Sequence, residues 1–128
     1  MRHGTPLGRV RGLGSAKQGT QHWWHQRLTA AANLFLTLWF LFAIAQAPGY
    51  DFDSIRLWMS SAWVAMPLVL LIVSVFYHFR IGLQVVIEDY QHGESRVLLM
   101  ILLNFFTFAT AAVAIVSILK IAFTGVPK

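Results

Sequence analysis

Residues 62–87, AWVAMPLVLLIVSVFYHFRIGLQVVI, form an apolar run whose ionisable side chains are only Tyr77, His78 and Arg80. At about 1.5 Å per residue, a helix over this run is roughly 39 Å long, more than the hydrocarbon thickness of about 30 Å. It is too evenly apolar to lie half-buried on a soluble core, so it reads as a membrane span. Glu88, Asp89 and Tyr90 close its far end. Working outward, a run over residues 28–46 stops at Ala47-Pro48-Gly49, and another over residues 97–123 carries Lys120 in its last turn, from which the ammonium can snorkel. The expected fold is an all-α membrane protein with three transmembrane helices at about 28–46, 62–87 and 97–123. Residues 50–61 form a short connection with an interfacial turn around Trp58, and residues 91–96 form a polar turn broken by Gly93.

Composition agrees. Of 128 residues 57% are hydrophobic and 12% charged, whereas soluble domains carry about 25% charged residues. The absence of cysteine excludes a disulfide framework, an iron–sulfur site carried by this chain and a thiolate-ligated zinc. Any metal would be held through histidine or carboxylate. The formal net charge of +5 is placed asymmetrically, for Arg2, Arg9, Arg11, Lys17 and Arg27 fall in the first 27 positions, which hold no Asp or Glu. This is a signal of topology and not of nucleic acid.

Residues 1–27 lack the apolar centre of a secretory signal peptide. An Arg-rich, acid-poor stretch also suits a mitochondrial presequence, but the paired Trp23 and Trp24 beside Arg27 resemble an interfacial anchor, which favours a retained basic tail. With Arg96 in the second loop, six basic residues lie on the tail's side, against Arg56, Lys120 and Lys128 on the other. The N-terminus is therefore expected in the cytoplasm and the C-terminus in the periplasm. Small residues on the third helix (Ala109, Ala111, Ala112, Ala114) allow close packing. A bundle of three helices is still thin, so partner subunits are expected.

His78 lies about 18 Å along the helix axis from Tyr90, which places it in the hydrocarbon region, where an ionisable group is a candidate functional site. Ser74, Gly82 and Asp89 share its face, within about 40° on a helical wheel. Small residues one turn either side of His78 leave room for a flat macrocycle, and the imidazole then supplies an axial iron ligand. The bland alternative is a histidine that hydrogen-bonds a neighbouring helix, with Ser74 and Gly82 as packing notches. A six-coordinate iron with two histidines needs a second ligand from another chain, because His3, His22, His25 and His92 all fall in the tail or loops.

Arg80 points about 200° away from His78, towards a partner or to snorkelling depth. Glu88 and Asp89 oppose the dipole at a helix C-terminus, so helix propensity does not explain them. Tyr90 beside Asp89 can donate a hydrogen bond to a carbonyl ligand near water, or serve as an ordinary interfacial tyrosine. Arg27 at the head of the first span can face an anionic group or mark a positive flank.

Taken together, His78 followed eleven and twelve residues later by Asp89-Tyr90, the ending Asp89-Tyr90-Gln91-His92-Gly93, Gly82 between them, and Gln26-Arg27-Leu28-Thr29-Ala30 opening the first helix resemble the smaller hydrophobic membrane anchor subunit of succinate dehydrogenase, respiratory complex II. The resemblance covers nearly the whole chain. It implies that His78 is one axial ligand of haem b, shared with a second, larger anchor subunit, with which the three helices pack into a haem-binding bundle. It further implies that Tyr90 hydrogen-bonds ubiquinone, with Asp89 and Arg27 near the quinone or the haem propionates. The partners implied are a flavoprotein that oxidises succinate, an iron–sulfur subunit and the second anchor, in a bacterial inner membrane, within the tricarboxylic acid cycle and the respiratory chain. On this reading the chain itself carries no succinate chemistry. Two other readings stay open: a cofactor-free structural or assembly protein in which His78 and Arg80 only join helices, and a stand-alone dimeric cytochrome b with one His78 from each copy.

Overall fold

The computed structural model describes residues 5–10 and 19–125. Arg2, Arg11, Lys17 and Lys128, which contribute to the charge asymmetry, lie outside them, as does His3. Within the described residues the chain is helical: α1 (Pro6–Val10), α2 (Gly19–Ala45), α3 (Phe52–Ser60), α4 (Ala62–Tyr90) and α5 (Glu94–Thr124). Three of these, α2, α4 and α5, are long and apolar enough to cross a membrane.

Each span starts or ends beyond its apolar run. α2 begins at Gly19, so the Trp23-Trp24-His25 stretch is helical and continuous with the first span. Its two indoles meet edge to face, with ring centres 5.2 Å apart. The connection after α2 is a nine-residue helix where a turn was expected. Asp51 caps it by accepting from the Ser54 N–H at 3.2 Å, satisfying one of the donors that a helix start leaves free. Hydrogen bonds from Ser54 hold the Asp51 carboxyl below the usual carboxylate range.

α4 carries Pro67 within its second turn. A proline there has no N–H to give the preceding turn, yet the helix continues, because both neighbouring turns are packed. Ala65 and Leu68 are buried with Ile118 of α5, and Trp39, Phe40, Trp58 and Met59 close around them. Between α4 and α5, Gly93 adopts φ +67°, the left-handed region that glycine enters without strain, as the breaker reading requires. Ser95 Oγ donates to the His92 carbonyl at 2.9 Å and fastens the turn.

α2 and α5 each pack along α4, but their Cα atoms nowhere come within 8 Å of each other. α4 therefore stands in the middle of a row. Its two contact faces are those carrying His78 and Arg80, about 200° apart. α2 contributes no buried residue, and Phe35, Phe42 and Leu28 stand at least 65% exposed. Surface of this kind is stable only against lipid or another chain.

Candidate functional site

α2 and α4 run antiparallel, which brings the first polar side chain of the α2 apolar run against His78. Thr29 Oγ1 lies 3.0 Å from His78 Nδ1. The same hydroxyl donates to the His25 carbonyl one turn back, at 2.7 Å. A hydroxyl has one proton; when Thr29 gives it to its own helix, Nδ1–H donates to Thr29 Oγ1 and the lone pair falls on Nε2, the tautomer that a metal ligand needs. This is the arrangement by which proteins orient a ligating histidine, with one ring nitrogen fastened and the other free for a metal.

Ser74 and Gly82, expected to be equivalent small neighbours, differ. Ser74 Oγ donates to the Thr29 carbonyl at 3.4 Å, a long contact that ties α4 to the residue holding His78. Beside Gly82 there is open space, for a Cβ built there meets nothing within 4 Å. Room for a planar group therefore lies on the Gly82 side of His78. Among the described residues no group of three or more His, Asp or Glu could hold a metal ion by itself. Iron at His78 would need its equatorial ligands from a macrocycle, and a histidine fastened at Nδ1 one turn from a glycine gap fits that group.

Tyr77 Oη meets His25 Nδ1 at 3.0 Å, and Thr29 meets His78, so on the α2 side His78 is level with the start of the apolar run at Leu28. On the α5 side the neighbouring turn of α4 is level with Asn104, inside the apolar run that starts at Val97. Arg80 Nε donates to Asn104 Oδ1 of α5 at 2.6 Å, Gln84 Nε2 donates to Glu88 Oε1 at 2.9 Å, and Arg96 stands 3.7 Å from Glu88. Arg80 thus finds its partner within this chain, away from the histidine.

The other expected site residues are not gathered at His78. Arg27 lies over the Trp23 ring, 5.3 Å from its centre. Tyr90 is 77% exposed, and Asp89 is exposed beside it. No hydrogen bond or ion pair among the described residues joins Arg27, Asp89 or Tyr90 to one another or to His78. The residue that sequence reasoning left without a role is Thr29. It stood in the helix-opening motif, but only the packing shows that its hydroxyl faces α4.

The family model of the succinate dehydrogenase/fumarate reductase transmembrane subunit matches residues 1–118. The chain belongs to this family. It is 31% identical over 120 residues to the succinate dehydrogenase hydrophobic membrane anchor subunit of Paracoccus denitrificans, covering 94% of this chain and 93% of that one. Its identity to the subunit of the same name from Rickettsia bellii is 32% over 111 residues, covering 86% and 89% of the two chains. The succinate dehydrogenase membrane anchor subunit of Reclinomonas americana is 33% identical over 90 residues, 68% of this chain and 75% of that one. No solved structure matches. The resemblance drawn from His78, Asp89 and Tyr90 therefore holds at the level of the family: the protein is a multi-pass membrane anchor subunit of succinate dehydrogenase.

Proposed function

We propose that the anchor supplies one axial ligand of haem b through His78 Nε2 and one wall of the ubiquinone site through Tyr90, while a second anchor subunit supplies the other axial histidine. The observation that carries this reading is the Thr29–His78 hydrogen bond, which fastens the ring at Nδ1 one turn from the Gly82 gap. A haem held there would supply a one-electron store. This chain's own residues do the rest. Thr29 fastens the ring, Ser74 ties α4 to Thr29, Gly82 leaves the space, and Tyr90 presents a phenolic proton at the water-facing end of α4. Asp89 and Arg27, exposed at the same end of the bundle, set the local charge near the quinone or the propionates. The flavoprotein and iron–sulfur subunits would dock on this side and deliver electrons from succinate. The stand-alone dimeric cytochrome b is disfavoured by the family match over most of the chain.

Optical spectra of the purified complex test this reading, because a complex containing this anchor and lacking a low-spin haem b band refutes it. Gly82→Leu places a branched side chain in the open space and should lower haem occupancy at least tenfold, while Gly82→Ala, which meets nothing within 4 Å, should keep it. Equal occupancy in both variants means the macrocycle lies elsewhere.

The same reading puts the Tyr90 end and the N-terminus in the cytoplasm of a bacterial inner membrane, following the excess of Lys and Arg on that side. Reporter domains fused at residue 53 should then be active only when exported. A reporter active only in the cytoplasm reverses the topology.

A further inference from the structure

On the side of the bundle opposite to His78, the connection between α2 and α4 and the last turns of α5 flank an open cavity of about 540 Å³. Gly125 seals α3 against α5, since a Cβ there would lie 3.0 Å from the Ser60 Cβ. Arg56 and Lys120 line the cavity from its two walls, with Ile55 and Met59 between them. Among the described residues neither cation forms an ion pair. Tyr50, Ser117 and Thr124 also line it, but their hydroxyl protons go to the Ile44, Val113 and Lys120 carbonyls. The free donors are therefore the two cations. The one carboxylate in the lining, Asp51, is engaged as the cap of α3.

We propose that this cavity holds a membrane phospholipid, its phosphate between Arg56 and Lys120. The surroundings favour an amphiphile over a free anion. Val116 and Val113, four and seven residues before Lys120, stand 63% and 68% exposed. They lie within about 40° of Lys120 on the helix and form an apolar track leading from the cavity along α5 into the membrane. The cavity opens where the apolar runs of α2 and α4 end, at the depth of headgroups. A phosphate there meets charge-assisted donors from two walls, and an acyl chain meets the valines. Inorganic phosphate would use the donors alone. The inference is independent of the haem and quinone reading.

The test uses the assembled complex, stripped of lipid in detergent and titrated with phosphatidylglycerol, with bound lipid counted by native mass spectrometry. Arg56→Gln and Lys120→Gln should each weaken binding tenfold or more, the usual scale for one charge-assisted contact. Lys120→Arg should bind as the parent does. Arg96→Gln, on the other side of the membrane, should change nothing; an equal loss there would mean that only bulk charge attracts lipid and overturns the proposal. Unchanged binding in Lys120→Gln overturns it too. So does full displacement of the lipid by millimolar inorganic phosphate, which would make the cavity a free-anion site. Lys120 is exposed and tolerates replacement, so the Gln and Arg variants at that position decide the matter even where Arg56→Gln fails to assemble.

Discussion

Replacing His78 with leucine is expected to remove the bis-histidine haem b spectrum from the assembled succinate dehydrogenase, while the flavoprotein still oxidises succinate with an artificial acceptor. No neighbouring residue can take over. Thr29 offers a neutral hydroxyl, and His25 is turned to Tyr77. The informative companion is Thr29→Val, which keeps the shape and removes the acceptor. Ligating histidines that lose such an outer partner bind their metal about 10–100-fold more weakly. Without a hydrogen bond at Nδ1 the imidazole is also a poorer donor to ferric iron, so the remaining haem should show a raised midpoint potential. Thr29→Ser should restore both occupancy and potential. If Thr29→Val leaves both unchanged while His78→Leu loses the haem, the ligand assignment stands and the tautomer argument falls. If His78→Leu keeps its spectrum, the ligand assignment itself is wrong.

The second large effect is expected at Tyr90. A phenol at the water-facing end of α4 can hydrogen-bond a quinone carbonyl, and that bond strengthens as negative charge grows on the oxygen during reduction. Charge-assisted bonds of this kind are worth roughly 1.5–3 kcal/mol, so Tyr90→Phe should lower succinate:quinone turnover by about one to two orders of magnitude. Tyr90 is 77% exposed in the isolated chain, with no hydrogen-bond partner among the described residues, so the substitution should leave assembly intact. The control is again succinate oxidation with an acceptor that takes electrons upstream, which should be unaffected. Full quinone reductase activity in the Phe variant would reduce Tyr90 to an interfacial anchor.

What was legible in the sequence was what depends on one helix at a time. Apolar length is a property of a single segment, so the three spans emerged, as did the shared face of His78, Ser74 and Gly82. What was not legible depended on how the helices are set against one another. Nothing in α4 shows which α2 residues lie level with His78; only the contacts of Thr29 with His78 and of Tyr77 with His25 fix that. For the same reason the sequence does not show that Ser74 Oγ reaches the Thr29 carbonyl. Arg80 could be assigned a direction but not a partner, since Asn104 is as far from it in sequence as many other polar residues of α5. The extra length of α2 was hidden by composition: Gly19 to Arg27 is polar enough to pass for a tail, although such residues are normal in a helix that continues into the headgroup layer.

A row of helices with α4 in the middle has two broad flanks and only the small core of Ala65, Leu68 and Ile118 near α3. Polar groups that face an apolar layer are costly until a partner covers them. An anchor made in excess of the other subunits would keep the His78 flank open, with the Gly82 gap and the half-exposed imidazole uncovered. Its lifetime should therefore be set by how soon that flank is covered. In pulse-chase measurements the chain made alone should decay faster than the chain in complex, and filling the gap in the unassembled chain with Gly82→Leu should lengthen its half-life even as it spoils the haem site.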